Sequence, residues 1–201
     1  MLRGFLGAAA TAVAWWAFAA TPQDSAPVAP PIVREGVRET VRAMWTRTDD
    51  HGFRIVGQCS FHYGRPSWNP GLPAAWKASG AKRWRFGKDF WTTFESDVPC
   101  VIGGVALPPG QYYVAAEIAA DGGASSLVFL DAAAVRSRRL DAAEAGKTTD
   151  GLVVPLVAGR VEEGADPLTL SLTPDATDAS RLVFRAAFGP HRWSASLVAS
   201  P

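Results

Sequence analysis

The sequence predicts a mainly β protein: a single antiparallel β-sandwich, jelly-roll or immunoglobulin-like, behind a signal peptide and a short N-terminal helix. Three observations point there. Aromatic and β-branched residues recur in short alternating runs, with Gly, Pro and Asp clusters between them at roughly eight- to twelve-residue intervals. Nineteen glycines and fifteen prolines favour many turns over long helices. With 201 residues, the chain is long enough for one well-cored domain and short for two. In order, residues 1–20 read as a signal peptide, 21–31 as a linker and 32–201 as the sandwich.

The leader sets the expected compartment. Arg3 precedes an apolar run over 5–20 that ends in Ala17-Phe18-Ala19, a small-x-small pattern, before the polar residues 21–24. Charge, apolar stretch and small-residue site in that order describe a secretory signal. The run is shorter than the roughly 20 residues a spanning helix needs, although an uncleaved anchor is the alternative. The protein is therefore expected in the periplasm or outside the cell, with no transmembrane segment once the signal is cleaved. Formal net charge is +1, from 20 basic side chains, Arg3 among them, against 19 acidic ones. So even a balance argues against nucleic acid as a partner.

Residues 21–31 are proline-rich and read as an extended linker. Val33, Val37, Val41 and Trp45 then fall four apart, with Arg34, Glu35, Arg38, Glu39 and Arg42 between them. That spacing makes one stripe of a helix, and a short helix over 32–46 is expected. Four is also an even number, so the same residues share one face of a strand. Gly36 and Thr40 weaken the helix.

Asp49-Asp50-His51-Gly52 reads as a turn into a strand over 53–63, where Cys59 shares the apolar face with Phe53, Ile55, Phe61 and Tyr63. Cys100 alternates likewise with Val98 and Ile102. Two inward cysteines on neighbouring strands of an exported protein can bridge, which would stabilise by roughly 4 kcal/mol. The alternative is two buried free thiols. Cys59 and His62, three apart, point to opposite faces of a strand, so no metal site is expected, and no motif calls for a cofactor. Residues 64–82 read as a long irregular loop carrying Trp68 and Trp76. A hairpin follows, 112–118 and 126–130 around Asp121-Gly122-Gly123. Residues 131–150 read as a surface loop with a helical turn or two. Four strand-like runs close the chain at 152–160, 168–173, 182–188 and 193–198, with turns between them, His191 in the last.

Several short motifs occur in one order: Tyr63-Gly64-Arg65-Pro66-Ser67, Trp84-Arg85-Phe86-Gly87, Thr92-Thr93, Ile102-Gly103-Gly104 and Leu107-Pro108-Pro109-Gly110 before Tyr112. Together they resemble the bacterial family catalogued as domain of unknown function 2911. The resemblance is carried by motifs within about residues 63–112 and is looser over the later strands. It implies an exported β-sandwich and carries no established reaction. Two departures stand out. Asp89-Phe90 occupies the place of the family's Asn-Glu, and Trp68-Asn69-Pro70-Gly71 replaces a second Gly-Arg.

The candidate binding surface runs from Gly64 to Trp91. It interleaves Arg65, Lys77, Lys82, Arg83, Arg85 and Lys88 with Trp68, Trp76, Trp84 and Trp91, and only Asp89 opposes them. Guanidinium groups fork onto carboxylates and phosphates, and indole faces take sugar rings, cations or apolar tails. Arg65, Trp68, Trp76, Lys77 and Arg85 are the chosen binding residues. The expected partner is an anionic glycan, a lipid headgroup or an acidic protein surface. The plainer alternative puts Trp84 and Trp91 in the core and pairs Arg65 and Arg85 with Asp89, Glu95 or Asp97. A second functional reading places His62, Arg65 and Asp89 in the cleft of a small periplasmic hydrolase or isomerase. A third makes the chain an envelope structural protein. No phosphate-cradling loop, nucleophile elbow or zinc-helix motif is present.

Overall fold

The computed structural model describes residues 36–80, 82–119, 123–178 and 181–200. The expected signal peptide and linker lie outside the described residues. In chain order the strands are β1 (Arg38–Asp49), β2 (Gly52–Gly64), β3 (Arg83–Arg85), β4 (Thr92–Ser96), β5 (Cys100–Ile102) and β6 (Val105–Leu107). Then follow β7 (Gly110–Ile118), β8 (Ala124–Asp131), β9 (Leu152–Pro155), β10 (Val157–Pro174) and β11 (Arg181–Ala199). Helix α1 (Leu72–Ser79) lies between β2 and β3, and α2 (Ala132–Ser137) plus a 3-10 turn (Ala142–Lys147) lie between β8 and β9. One antiparallel sheet has seven strands, ordered β1-β2-β4-β7-β8-β9, with β3 also on β7. The other has four, ordered β10-β11-β5-β6. The fold is mainly β and sandwich-like, as expected.

Alternation drives the two sheets together. Phe61, Phe94 and Phe129 project from the large sheet and Leu170, Phe184 and Leu197 from the small one, all buried. The Phe61 ring lies 4.8 Å from Phe94 and 5.0 Å from Phe184 in the opposite sheet. Each such side chain is worth roughly 1.5–3 kcal/mol of burial. A second apolar cluster forms on the outer face of the large sheet. There Trp91 stacks on Tyr113 at 5.4 Å, and Val128 and Leu130 lie beside them. Residues 132–147 cover it, burying Ala132, Val135, Ala142 and Ala145. This segment was expected as a surface loop with a helical turn or two; the turns are present, and they cover the second cluster rather than only lining the surface.

Other expectations are corrected. The short N-terminal helix is strand β1, paired with β2 from Arg38↔Gly64 to Asp49↔Gly52. The even spacing of Val41 and Trp45 serves the strand, and both pack against the core with Ala43. Residues 72–79 are helical, not irregular, with a proline in the first turn and left-handed Gly80 after the last. Only one apolar pair, Leu72 and Trp76, marks a stripe in so short a helix. The turn expected at Gly189-Pro190-His191 is a bulge inside the single strand β11. Phe184, Ala186 and Phe188 are buried before it, and His191, Trp193 and Ala195 after it, so the buried parity changes. His191 is thus a buried residue stacked on Trp193, not a turn residue. The turn expected at 162–167 likewise lies within β10, as a register shift between Arg160 and Ala165. Phe53 and Ile55 are exposed, because the β1–β2 hairpin outruns β4, which pairs only with residues 59–62.

Cys59 and Cys100 both point inward, yet they are free thiols. They sit in opposite sheets, on β2 and β5, not on neighbouring strands. Burial pushes the Cys59 thiol up to about 12, reinforced by Cys100 and then Asp97. Burial also raises Cys100, whose sulfur lies 3.2 Å from the Ser96 hydroxyl.

Candidate functional site

The segment from Gly64 to Trp91 divides in two. Its first part is a seam. β10 is the edge strand of the small sheet, and its outward backbone groups need partners. Leu168 donates its N–H to the Pro66 carbonyl at 3.0 Å, and the Leu168 carbonyl accepts from Arg65 Nε at 3.2 Å. Leu170 donates to the Tyr63 hydroxyl at 3.1 Å, and that hydroxyl donates to Glu39 at 3.1 Å. Glu39 also holds Arg65 in an ion pair. Trp68 donates its backbone N–H to Asp166 at 2.9 Å, and its ring meets Phe188 edge-on at 5.0 Å. The indole also lies flat over Gly189, where a Cβ would collide with it. Arg65 and Trp68 therefore join the two sheets. Arg65 does so through Glu39, not through Asp89, Glu95 or Asp97.

The second part is open. Trp76 on α1 stacks on Trp84 of β3, with ring centroids 4.3 Å apart and planes 24° from parallel. They border a pocket of about 200 Å³ lined also by Leu72, Arg85, Lys88 and Phe188. One close backbone approach ties Lys88 to the end of β2. Gly64 accepts from Lys88 N–H at 3.2 Å, and a Cβ on Gly64 would strike the Lys88 carbonyl. Trp84 is half-buried, and its indole N–H is buried without an acceptor among the described residues. Arg85 donates to the Asp89 carbonyl at 3.0 Å, and no carboxylate neutralises Arg85 or Lys88 among the described residues. Arg83, by contrast, is consumed. It pairs with Glu117 at 3.1 Å and donates to the carbonyls of Thr148 and Asp150. Lys77 is exposed on α1, outside the pocket lining, and Trp91 is core, as the plainer alternative for it held.

His62, Arg65 and Asp89 are not drawn to one point. His62 faces outward and shares a 2.8 Å hydrogen bond through Nδ1 with the Thr40 hydroxyl. Burial and then the Arg38 charge lower its pKa below the usual 6.5. Arg65 turns to the inter-sheet side, toward β10. Asp89, at φ +68°, is exposed near Arg38, whose guanidinium donates to the carbonyls of His62 at 2.9 Å and Trp91 at 2.7 Å. Among the described residues no three His, Cys, Asp or Glu side chains gather as metal ligands. No helix there is long and apolar enough to cross a membrane.

Sequence reasoning placed Lys88 on the candidate surface but not among the chosen binding residues, and it missed Phe188. Phe188 comes from β11, a hundred positions further along, and nothing local marks it. No family model, curated protein or solved structure matches the chain. The likeness to domain of unknown function 2911 rests on its motifs.

Proposed function

We propose that this chain is an exported binding module of the kind its motifs resemble, and that it holds a small flat-faced anion, foremost an acidic sugar, at the Trp76–Trp84 pocket. The carrying observation is the stacked indole pair beside two cations that lack carboxylate partners among the described residues. Stacking covers one face of each indole and holds both rigid, so a ring that joins them loses little conformational freedom on the protein side. Arg85 and Lys88 supply charge-assisted hydrogen bonds. A cavity of about 200 Å³ suits one ring and its charged group. The two facing antiparallel sheets fit the jelly-roll or immunoglobulin-like assignment, while the periplasmic or extracellular setting of this reading rests on the leader's residue pattern alone.

Titration of intrinsic fluorescence with glucuronate and with glucose tests it. Glucuronate should quench and glucose should not. Trp76→Ala and Lys88→Gln should each weaken the response about tenfold or more while leaving the fold intact. Anionic vesicles and polyglutamate, run in parallel, separate a lipid headgroup or an acidic protein from a sugar. Wild-type response in both variants would remove the pocket as the site.

A further inference from the structure

A second cleft lies on the small sheet, away from the pocket just described. It measures about 450 Å³ and is lined from both halves of the β10–β11 ribbon: Thr169, Ser171, Arg185 and Ala187 on one side, Arg192 and Ser194 on the other. Residues 187 and 194 are seven apart in β11 and would be separated by about 23 Å in a straight strand. Their meeting in one cleft means that the ribbon bends toward its outer face. The bend has a visible cause. Gly189 takes φ +54°, and the pairing breaks between Arg160↔His191 and Ala165↔Gly189, so 161–164 leave the ladder.

Arg192 holds the bend. It donates to the carbonyls of Gly189 at 2.9 Å, His191 at 2.8 Å and Glu163 at 3.1 Å. Arg185 donates to the Thr173 hydroxyl. Neither guanidinium meets a carboxylate among the described residues, so two whole positive charges stand at one cleft. Three hydroxyls, from Thr169, Ser171 and Ser194, join them, while Val157, Ala158, Ala187 and Trp193 make an apolar wall. Two guanidinium groups and several hydroxyls can serve many acceptor oxygens on a doubly charged group, which a phosphoryl group has and a single carboxylate lacks.

We infer that the bent β10–β11 ribbon is an anion cleft for an organic phosphate monoester, its phosphoryl group facing Arg185 and Arg192 and its organic part resting on Val157 and Ala187. The inference is independent of the Trp76–Trp84 pocket.

The test follows backbone amide resonances of the whole protein during titration with inorganic phosphate, then glycerol phosphate, then vesicles bearing a phosphate-monoester lipid headgroup. Shifts should concentrate at Thr169, Ser171, Ala187 and Ser194, and glycerol phosphate should bind more tightly than inorganic phosphate. Arg185→Gln should weaken binding about tenfold or more, and Ala187→Leu, which fills the cleft without removing a charge, should abolish it. Lys88→Gln should leave it unchanged. Binding that survives both Arg185→Gln and Ala187→Leu, or shifts scattered over all basic residues, would overturn the proposal. So would the absence of saturable binding by any of the three probes. Saturation by vesicles alone would assign the phosphate to a lipid and keep the cleft.

Discussion

Arg65 and Arg85 stand twenty positions apart in one basic, tryptophan-rich segment, and they do opposite things. Arg65 spends its guanidinium on Glu39 and the Leu168 carbonyl, closing the edge of β10 against the large sheet. Arg85 makes one bond to a neighbouring carbonyl and keeps its charge at the mouth of a pocket. The tryptophans divide the same way: Trp68 is wedged over Gly189, and Trp76 is paired with Trp84 beside open space. A sheet edge attracts cations as strongly as a ligand does, because unpaired carbonyls must be served. Basic and aromatic composition alone therefore cannot separate a seam from a site.

The comparison breaks most sharply at Gly189. A valine there would have to adopt φ +54° and drive its side chain into the Trp68 indole, so a loss of about 3 kcal/mol or more is expected in chemical denaturation. Arg65→Ala should cost about 1–2 kcal/mol. The half-exposed ion pair contributes little of that, and most comes from the unsatisfied Leu168 carbonyl, so salt should hardly change it. Arg85→Gln should move stability by no more than about 0.5 kcal/mol, as surface changes do, while abolishing the anion response. Equal stability losses in the two arginine variants would erase the distinction.

Smaller effects sharpen the frame around these two regions. Both thiols should titrate in denaturant and resist a thiol reagent in the native state, since burial keeps Cys59 protonated up to about 12. One mole or less of thiol per chain after denaturation would show a bridge instead. His62 has a folded pKa below its ordinary 6.5, so the unfolded chain takes up the proton more readily. Its contribution is fully present above the unfolded pKa and fades as pH falls through the folded one. Ring-proton resonances titrating at or above 6.5 would contradict this.

How much of this the sequence could show follows from how local each cause is. The alternation in 112–118 and 126–130 needed no tertiary information, and β7 and β8 pair as expected. The parity of Val41 and Trp45 suited two periods at once, and only pairing with β2 decides for a strand. Gly189-Pro190 carries turn chemistry, but a long partner strand converts it into a bulge, which no local rule distinguishes. At the site, Trp76 and Arg85 were visible as residue types. Their companion Phe188 was not, and neither was the loss of Arg65 to a carbonyl on a strand a hundred positions away.

The stacked indoles have an optical consequence. Two aromatic transitions 4.3 Å apart and 24° from parallel couple to each other, and a chiral pair of that kind should give a split circular-dichroism band. Trp76 rides on a helix of which no residue is buried, whereas Trp84 is anchored in the sheet. Lifting of the helix would dissolve the split band before the sandwich melts, and Trp76→Phe would delete it at once. The protein thus carries its own reporter of whether the pocket's outer wall is in place.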